Sequence, residues 1–167
     1  VCQMADKLSE HDLAMRLLSK GHPEVSLFAE FDGIPVRGRL DWLSHRVATD
    51  YKTSVSDDPS AFRRKAADCG YHIQAAFYMD LLEAVGLPAD AFAFIVQHKE
   101  PPFDVFVTTL TDRAIERGRE LYRRALERYR DCTESGYWPG RVSPTAYVIT
   151  ELPEWAYYDN DTEEQYA

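Results

Sequence analysis

Asp32-Gly33 is flanked on both sides by alternating apolar residues, and few short patterns restrict a fold more. Asp-Gly readily takes the two positive φ angles of a tight two-residue hairpin loop. Before it, Val25, Leu27, Ala29 and Phe31 alternate with Glu24, Ser26, Phe28 and Glu30, the period of a strand with one buried face. After it, Ile34 to Leu43 returns as the partner strand. If Asp32 and Gly33 form the loop, Phe31 faces Ile34, and each pair of opposed residue numbers sums to 65. Glu24 then falls opposite Asp41, and Ser26 opposite Arg39, on one face of the hairpin.

The rest of the chain supplies elements around this hairpin. Ala5, Leu8, Leu13, Met15, Leu17 and Leu18 predict a helix over about 5–20, stopped by Gly21 and Pro23. Arg46 to Lys52 makes a third short strand. A polar loop follows from Ser54, with Ser56 or Asp57 as helix cap and Pro59 as the first helical residue. The helical region runs to about Val85, interrupted at Gly70. Ala91–Gln97 and Phe103–Thr109 read as two more strands. Thr111 caps a helix over 112–134 whose stripe is Ile115, Leu121, Tyr122, Ala125, Tyr129 and Cys132. This order predicts an α/β/α sandwich around a mixed sheet of about five strands.

Composition excludes several classes. No apolar run approaches the roughly 20 residues that cross a bilayer. Three scattered cysteines, Cys2, Cys69 and Cys132, give neither a disulfide framework nor a thiolate metal site. His45, His72 and His98 lack ligand spacing, and His72 reads as structural. The net charge of −9 is concentrated at the end: Glu151, Glu154, Asp159, Asp161, Glu163 and Glu164 follow Arg141 with no Lys or Arg. Residues 1–141 carry 19 basic and 22 acidic groups, a balance compatible with a polyanionic partner. The seven arginines of the last helix alternate with acids, and Glu120–Arg124 suggests an ordinary solvated face. The tail aromatics from Tyr137 onward read as packing on the core.

The chemistry lies in Asp41 and Asp50-Tyr51-Lys52. In a strand, Asp50 and Lys52 point the same way and Tyr51 the opposite way. Two carboxylates suit a hard divalent cation, and the ammonium suits a negatively charged oxygen beside it. Tyr71, Gln74 and Tyr78 form a polar edge on the following helix. Glu24 is either a third metal-site acid or an acid paired with Arg39. Arg37 and Arg39, on the Asp41 face, are either phosphate clamps or ion-pair partners of Glu24 and Glu30.

Glu24-Val25-Ser26, Gly38-Arg39-Leu40-Asp41, Asp50-Tyr51-Lys52-Thr53 and Gly70-Tyr71-His72-Ile73-Gln74-Ala75-Ala76-Phe77-Tyr78, in that order, resemble the PD-(D/E)xK nuclease superfamily. More narrowly they resemble its RecE-like exonuclease branch, related to the RecB nuclease domain and lambda-type exonucleases. The resemblance spans about residues 5–110. It implies a restriction-endonuclease-like nuclease domain over 1–150, short of an N-terminal part, and an acidic tail over 151–167. It implies that Asp41, Asp50 and the Tyr51 carbonyl hold Mg²⁺ (or Mn²⁺), to which register adds Glu24 as a candidate ligand, and that Lys52 orients or activates the attacking water. Gln74 and Tyr78 fill a Q-x-x-x-Y motif, in which Gln74 is catalytic and holds the lysine or a phosphate, and Tyr78, with Tyr71 and Arg39, contacts the substrate. Leu40 stands where the family has proline, and no upstream histidine motif matches; His11 lies too close to Glu24. The implied activity is exonucleolytic hydrolysis of double-stranded DNA with a free end, in phage or bacterial recombination or repair. A cytoplasmic location, a recombination partner protein, a homo-oligomer and no membrane contact go with it. An endonuclease on the same scaffold, or a non-catalytic DNA- or protein-binding module, are the alternatives.

Overall fold

The computed structural model describes residues 2–142 and 145–157. They fall into two compact units divided after Arg130, within the last helix. In the first unit, two short helices, α1 (Cys2–Ser9) and α2 (Asp12–Leu18), precede the strands β1 (His22–Phe31), β2 (Ile34–Ser44) and β3 (Val47–Ser54). Helices α3 (Pro59–Asp68) and α4 (Tyr71–Ala84) lead to β4 (Ala91–His98), β5 (Val105–Thr109) and α5 (Asp112–Ser135). The sheet has the order β1-β2-β3-β4-β5, and only the β3–β4 pair is parallel. A parallel pair needs a long crossover, and α3–α4 supplies it. The mixed five-stranded α/β/α sandwich is the expected one.

The hairpin register is also the expected one: Phe31 pairs with Ile34, Ser26 with Arg39 and Pro23 with Trp42. Asp32 and Gly33 both carry positive φ, 50° and 82°. The ladder skips Glu24, whose φ of 56° turns its backbone out of the extended region. Pro35 is accommodated inside β2 for a local reason. Phe31 and Ile34 close the turn, so the next position would direct its N–H away from β1. There β2 has no partner on that side, because the β2–β3 ladder runs only from Ser44↔Val47 to Trp42↔Thr49. The sheet therefore forks beyond Trp42 and Thr49.

Both faces of β4 are buried, which accounts for its continuous apolar run. Phe92, Phe94 and Val96 join Leu27, Leu40, Leu81 and Leu82 in the core under α4. Ile95 and Gln97 point the other way and are also fully buried; Gln97 donates to the Met4 carbonyl of α1 at 2.9 Å. Helices thus cover both faces.

Several local expectations need correction. The first helix is two, because His11 is extended and its Nδ1 accepts the Ala14 N–H at 3.2 Å, restarting the helix. The cap of α3 is Asp58, not Ser56 or Asp57; its carboxylate accepts from Ser60 N at 2.8 Å, and Pro59 is the first helical residue. β5 begins at Val105, after Phe103 with a φ of 62°. On α5 the inward line is Ile115, Gly118, Arg119 and Tyr122, while Ala125 and Tyr129 are exposed. Glu120 pairs with Arg117 at 2.7 Å, not with Arg124.

Arg119 is thus no solvated-face residue. Its guanidinium grips Asp80 of α4 at 2.6–3.1 Å, and the Tyr122 hydroxyl donates to the same carboxylate. Burial alone would raise the Asp80 pKa, but Arg119 and Tyr122 hold it below the ordinary value. The Tyr122 phenol is pushed up to about 12 by burial and by Asp80. A carboxylate with a lowered pKa contributes stability above its unfolded value of 3.8, lost as pH falls through the folded value. Asp80→Asn is therefore expected to cost about 3 kcal/mol at neutral pH. In urea melts across pH, the deficit should shrink below about pH 4; a constant deficit would contradict the pairing.

In the second unit, α5 ends at Ser135 and an irregular chain leads to a 3₁₀ turn at Glu154–Tyr157. Tyr137, Trp138, Tyr147 and Trp155 of this unit are exposed. Tyr158, Asp159, Asp161, Glu163 and Glu164 of the acidic tail lie outside the described residues. Among the described residues, no helix is long and apolar enough to cross a membrane.

Candidate active site

The fork between β2 and β3 gathers the acids. Past the last rung, the Tyr51 N–H has no β2 carbonyl opposite it and donates instead to Asp41 Oδ2 at 3.0 Å. Asp41 thereby bridges the two strands where backbone pairing stops, and it remains exposed. On β3, Asp50 and Lys52 face α4, whereas Tyr51 faces α1, as strand alternation requires. Asp50 is 3% exposed. Gln74 Nε2 donates to Asp50 Oδ1 at 2.6 Å, and Lys52 Nζ lies 2.5 Å from Oδ2. That second contact has ion-pair distance but lacks hydrogen-bond alignment, so Oδ2 has no directed donor. The Lys52 ammonium also sits 4.8 Å from the centre of the Tyr71 ring, a cation–π distance.

Gly70 makes this convergence possible. Its left-handed φ of 69° separates α3 from α4 and starts a new helix whose first turns carry Tyr71 and Gln74. Gly38 lets the next turn come close: a Cβ there would lie 2.7 Å from the Tyr78 ring and 2.8 Å from Leu81. The Tyr78 ring therefore packs directly against β2 at Gly38. Glu24 pairs with Arg39 at 2.5 Å, both exposed, the second of the two arrangements open from sequence. Among the described residues, no three His, Cys, Asp or Glu side chains converge as a metal cage.

Over residues 1–151 the sequence matches the family described as a PDDEXK-like domain of unknown function (DUF3799). The chain belongs to this PDDEXK-like family. No curated protein matches the sequence. The crystal structure of a candidate exonuclease from Eubacterium rectale aligns with a TM-score of 0.68 at 14% identity, over 95% of this chain and 64% of that one. The PDDEXK-like domain thus shares a fold with that protein and spans under two thirds of its length. A second solved structure, of SSO0001, aligns with a TM-score of only 0.35 at 18% identity, over 68% of this chain and 54% of that chain.

The electrostatics of the PDDEXK-like domain centre on Asp50. Burial raises its pKa above the ordinary carboxylate value, although Lys52 and Gln74 pull it down, and Asp41 nearby pushes it up. A carboxylate made costly to ionise, in a site with a second carboxylate, is better served by more positive charge than one lysine supplies.

Sequence reasoning missed the anchor behind the site. The Tyr51 hydroxyl donates to Gln97 Oε1, and Gln97 Nε2 donates to the carbonyls of Met4 and Phe103 at 2.9 and 3.1 Å. Gln97 is wholly buried, and this network clamps the rear of β3 while the front carries Asp50 and Lys52. A single amide closing the apolar run Ala91–Val96 was the available signal. Gln74 was expected to hold the lysine or a phosphate; its hydrogen bond goes to Asp50.

Proposed function

We propose that this chain is a metal-dependent deoxyribonuclease that hydrolyses phosphodiester bonds of double-stranded DNA from a free end. The observation that carries the reading is Asp50, buried, fixed on one oxygen by Gln74 and facing Lys52 on the other, beside Asp41 at the sheet fork. Exonucleolytic action and a place in recombination or repair follow from the motif resemblance.

The donor set fits Mg²⁺ or Mn²⁺. Mg²⁺ characteristically takes one or two carboxylates and keeps several waters, so a cage of three protein acids is not required. Asp41 and Asp50 would supply the carboxylates and the Tyr51 carbonyl a neutral oxygen, while Glu24 is engaged by Arg39. When bound, the ion supplies Lewis-acid polarisation of the phosphoryl oxygen and a more acidic water. Gln74 keeps Asp50 Oδ1 oriented, leaving Oδ2 for the cation. Lys52, which faces Oδ2, would place its positive charge against the oxygen that becomes more negative in the transition state. The clamp from Tyr51 to Gln97 keeps β3 from shifting as these contacts exchange.

End-labelled linear duplex DNA incubated with Mg²⁺ or Mn²⁺ should be degraded from its ends, with a closed circle left intact and EDTA abolishing the reaction. Nicking of the circle would establish the endonuclease alternative. Metal binding by calorimetry without cleavage of either DNA would favour a binding module.

A further inference from the structure

The outer face of the β1–β2 hairpin carries residues that the cleavage chemistry does not use. Phe28 is 69% exposed, although aromatic side chains in strands ordinarily pack. It is the most exposed of the described aromatic residues in the first unit. Cross-strand pairing sets it opposite Arg37, and Ser26 opposite Arg39. These residues, with Gly38 and Tyr78, line an open groove of about 420 Å³. Arg37, Arg39 and Asp41 are successive same-face positions of β2, so the groove leads to the fork in steps of roughly 7 Å.

We infer that this groove holds an unpaired strand of DNA entering or leaving the site, with a base stacked on Phe28 and phosphates at Arg37 and Arg39. The inference rests on the nuclease reading and extends it to the form of the substrate. An exposed ring offers its face to a base, and only an unstacked base can use it, which selects single-stranded over duplex DNA. Arg37 makes no ion pair among the described residues and is available to a phosphate. Arg39 is held by Glu24, both side chains being more than half exposed, and such a pair exchanges readily for a phosphate. A duplex end opened at the fork would present such a strand.

The test is equilibrium binding of labelled oligothymidine and of a blunt duplex to the full chain in EDTA, where cleavage cannot interfere. Phe28→Ala should weaken oligothymidine binding about tenfold and leave duplex binding unchanged, and Phe28→Trp should restore it with fluorescence quenching by the oligonucleotide. Arg37→Ala should weaken binding severalfold and reduce the salt slope by about 0.7. Phe28 packs too little for its removal to unfold the protein, and circular dichroism checks this. Unchanged oligothymidine affinity in both variants, or an equal loss for the duplex in Phe28→Ala, would overturn the inference. The cleavage assay separates the two claims. If the wild type cleaves but Phe28→Ala binds oligothymidine normally, only the groove is refuted. If the wild type never cleaves yet loses oligothymidine binding with Phe28, the groove stands and the nuclease reading fails.

Discussion

Lys52→Met is expected to lower the rate of phosphodiester hydrolysis about 10³-fold, the scale for removing one preorganised charge from a reacting oxygen. Methionine keeps much of the stem that lies beside Tyr71, so the loss tests charge more than packing. A second signature separates this from simple disruption. Lys52 is the strongest influence drawing the Asp50 pKa down against burial, so without it that pKa rises further. Residual activity should therefore shift to higher pH. Stability moves with a defined sign as well. A carboxylate whose folded pKa lies above its unfolded value of 3.8 contributes stability fully present below that value and lost as pH rises through the folded one. The variant, with Asp50 raised further, should show its largest deficit at neutral pH and approach the wild type on acidification. Wild-type rate in Lys52→Met, with an unshifted pH profile, would remove Lys52 from the mechanism.

Gly118→Ala should destabilise the protein by about 3 kcal/mol, contrary to what helix propensity suggests. Alanine in a helix interior is favoured over glycine by about 1 kcal/mol. Here an added Cβ would lie 2.0 Å from the His72 carbonyl oxygen and 2.5 Å from its carbon, both backbone atoms of α4. No side-chain rotation relieves such a clash; α5 must back away from α4, and overpacking of this kind typically costs 1–3 kcal/mol and sometimes more. Backing away would also stretch the Arg119–Asp80 contact two turns along α4. A melting temperature lower by roughly 10 °C is the expected readout. Because the first turn of α4 carries Tyr71 and Gln74, weaker metal binding should accompany the loss of stability. A variant as stable as the wild type would show that α5 does not press on α4 in solution.

The hairpin was legible to the residue because three local signals agree: alternation, a positive-φ dipeptide and a buried face that forbids slippage. That Asp50 and Lys52 share a strand face was legible from alternation alone, and the structure sets both toward α4. The missed features share a physical cause. Gly118 contributes nothing to an apolar stripe, yet it marks the closest approach of two helices. Arg119 carries a charge and so reads as solvent-facing, although its partner Asp80 lies 39 positions away on another helix. Neither α4 nor α5 announces that partnership locally. Glu24 shows the same limit at closer range: register correctly put it near Asp41, but its positive φ, invisible to pattern, directed its carboxylate to Arg39.

The place where the sheet divides has a consequence for solvent exchange. The Tyr51 amide is protected by a side chain, Asp41, where its neighbours in the sheet rely on backbone carbonyls. Its deuterium uptake thus depends on where one carboxylate points. Titrating Mg²⁺ into the protein should speed exchange at Tyr51 as Asp41 turns toward the ion, while Tyr51's neighbours on β3, tied to β4 along its whole length, keep their rates. A single backbone proton would then report occupancy of the site without any substrate present.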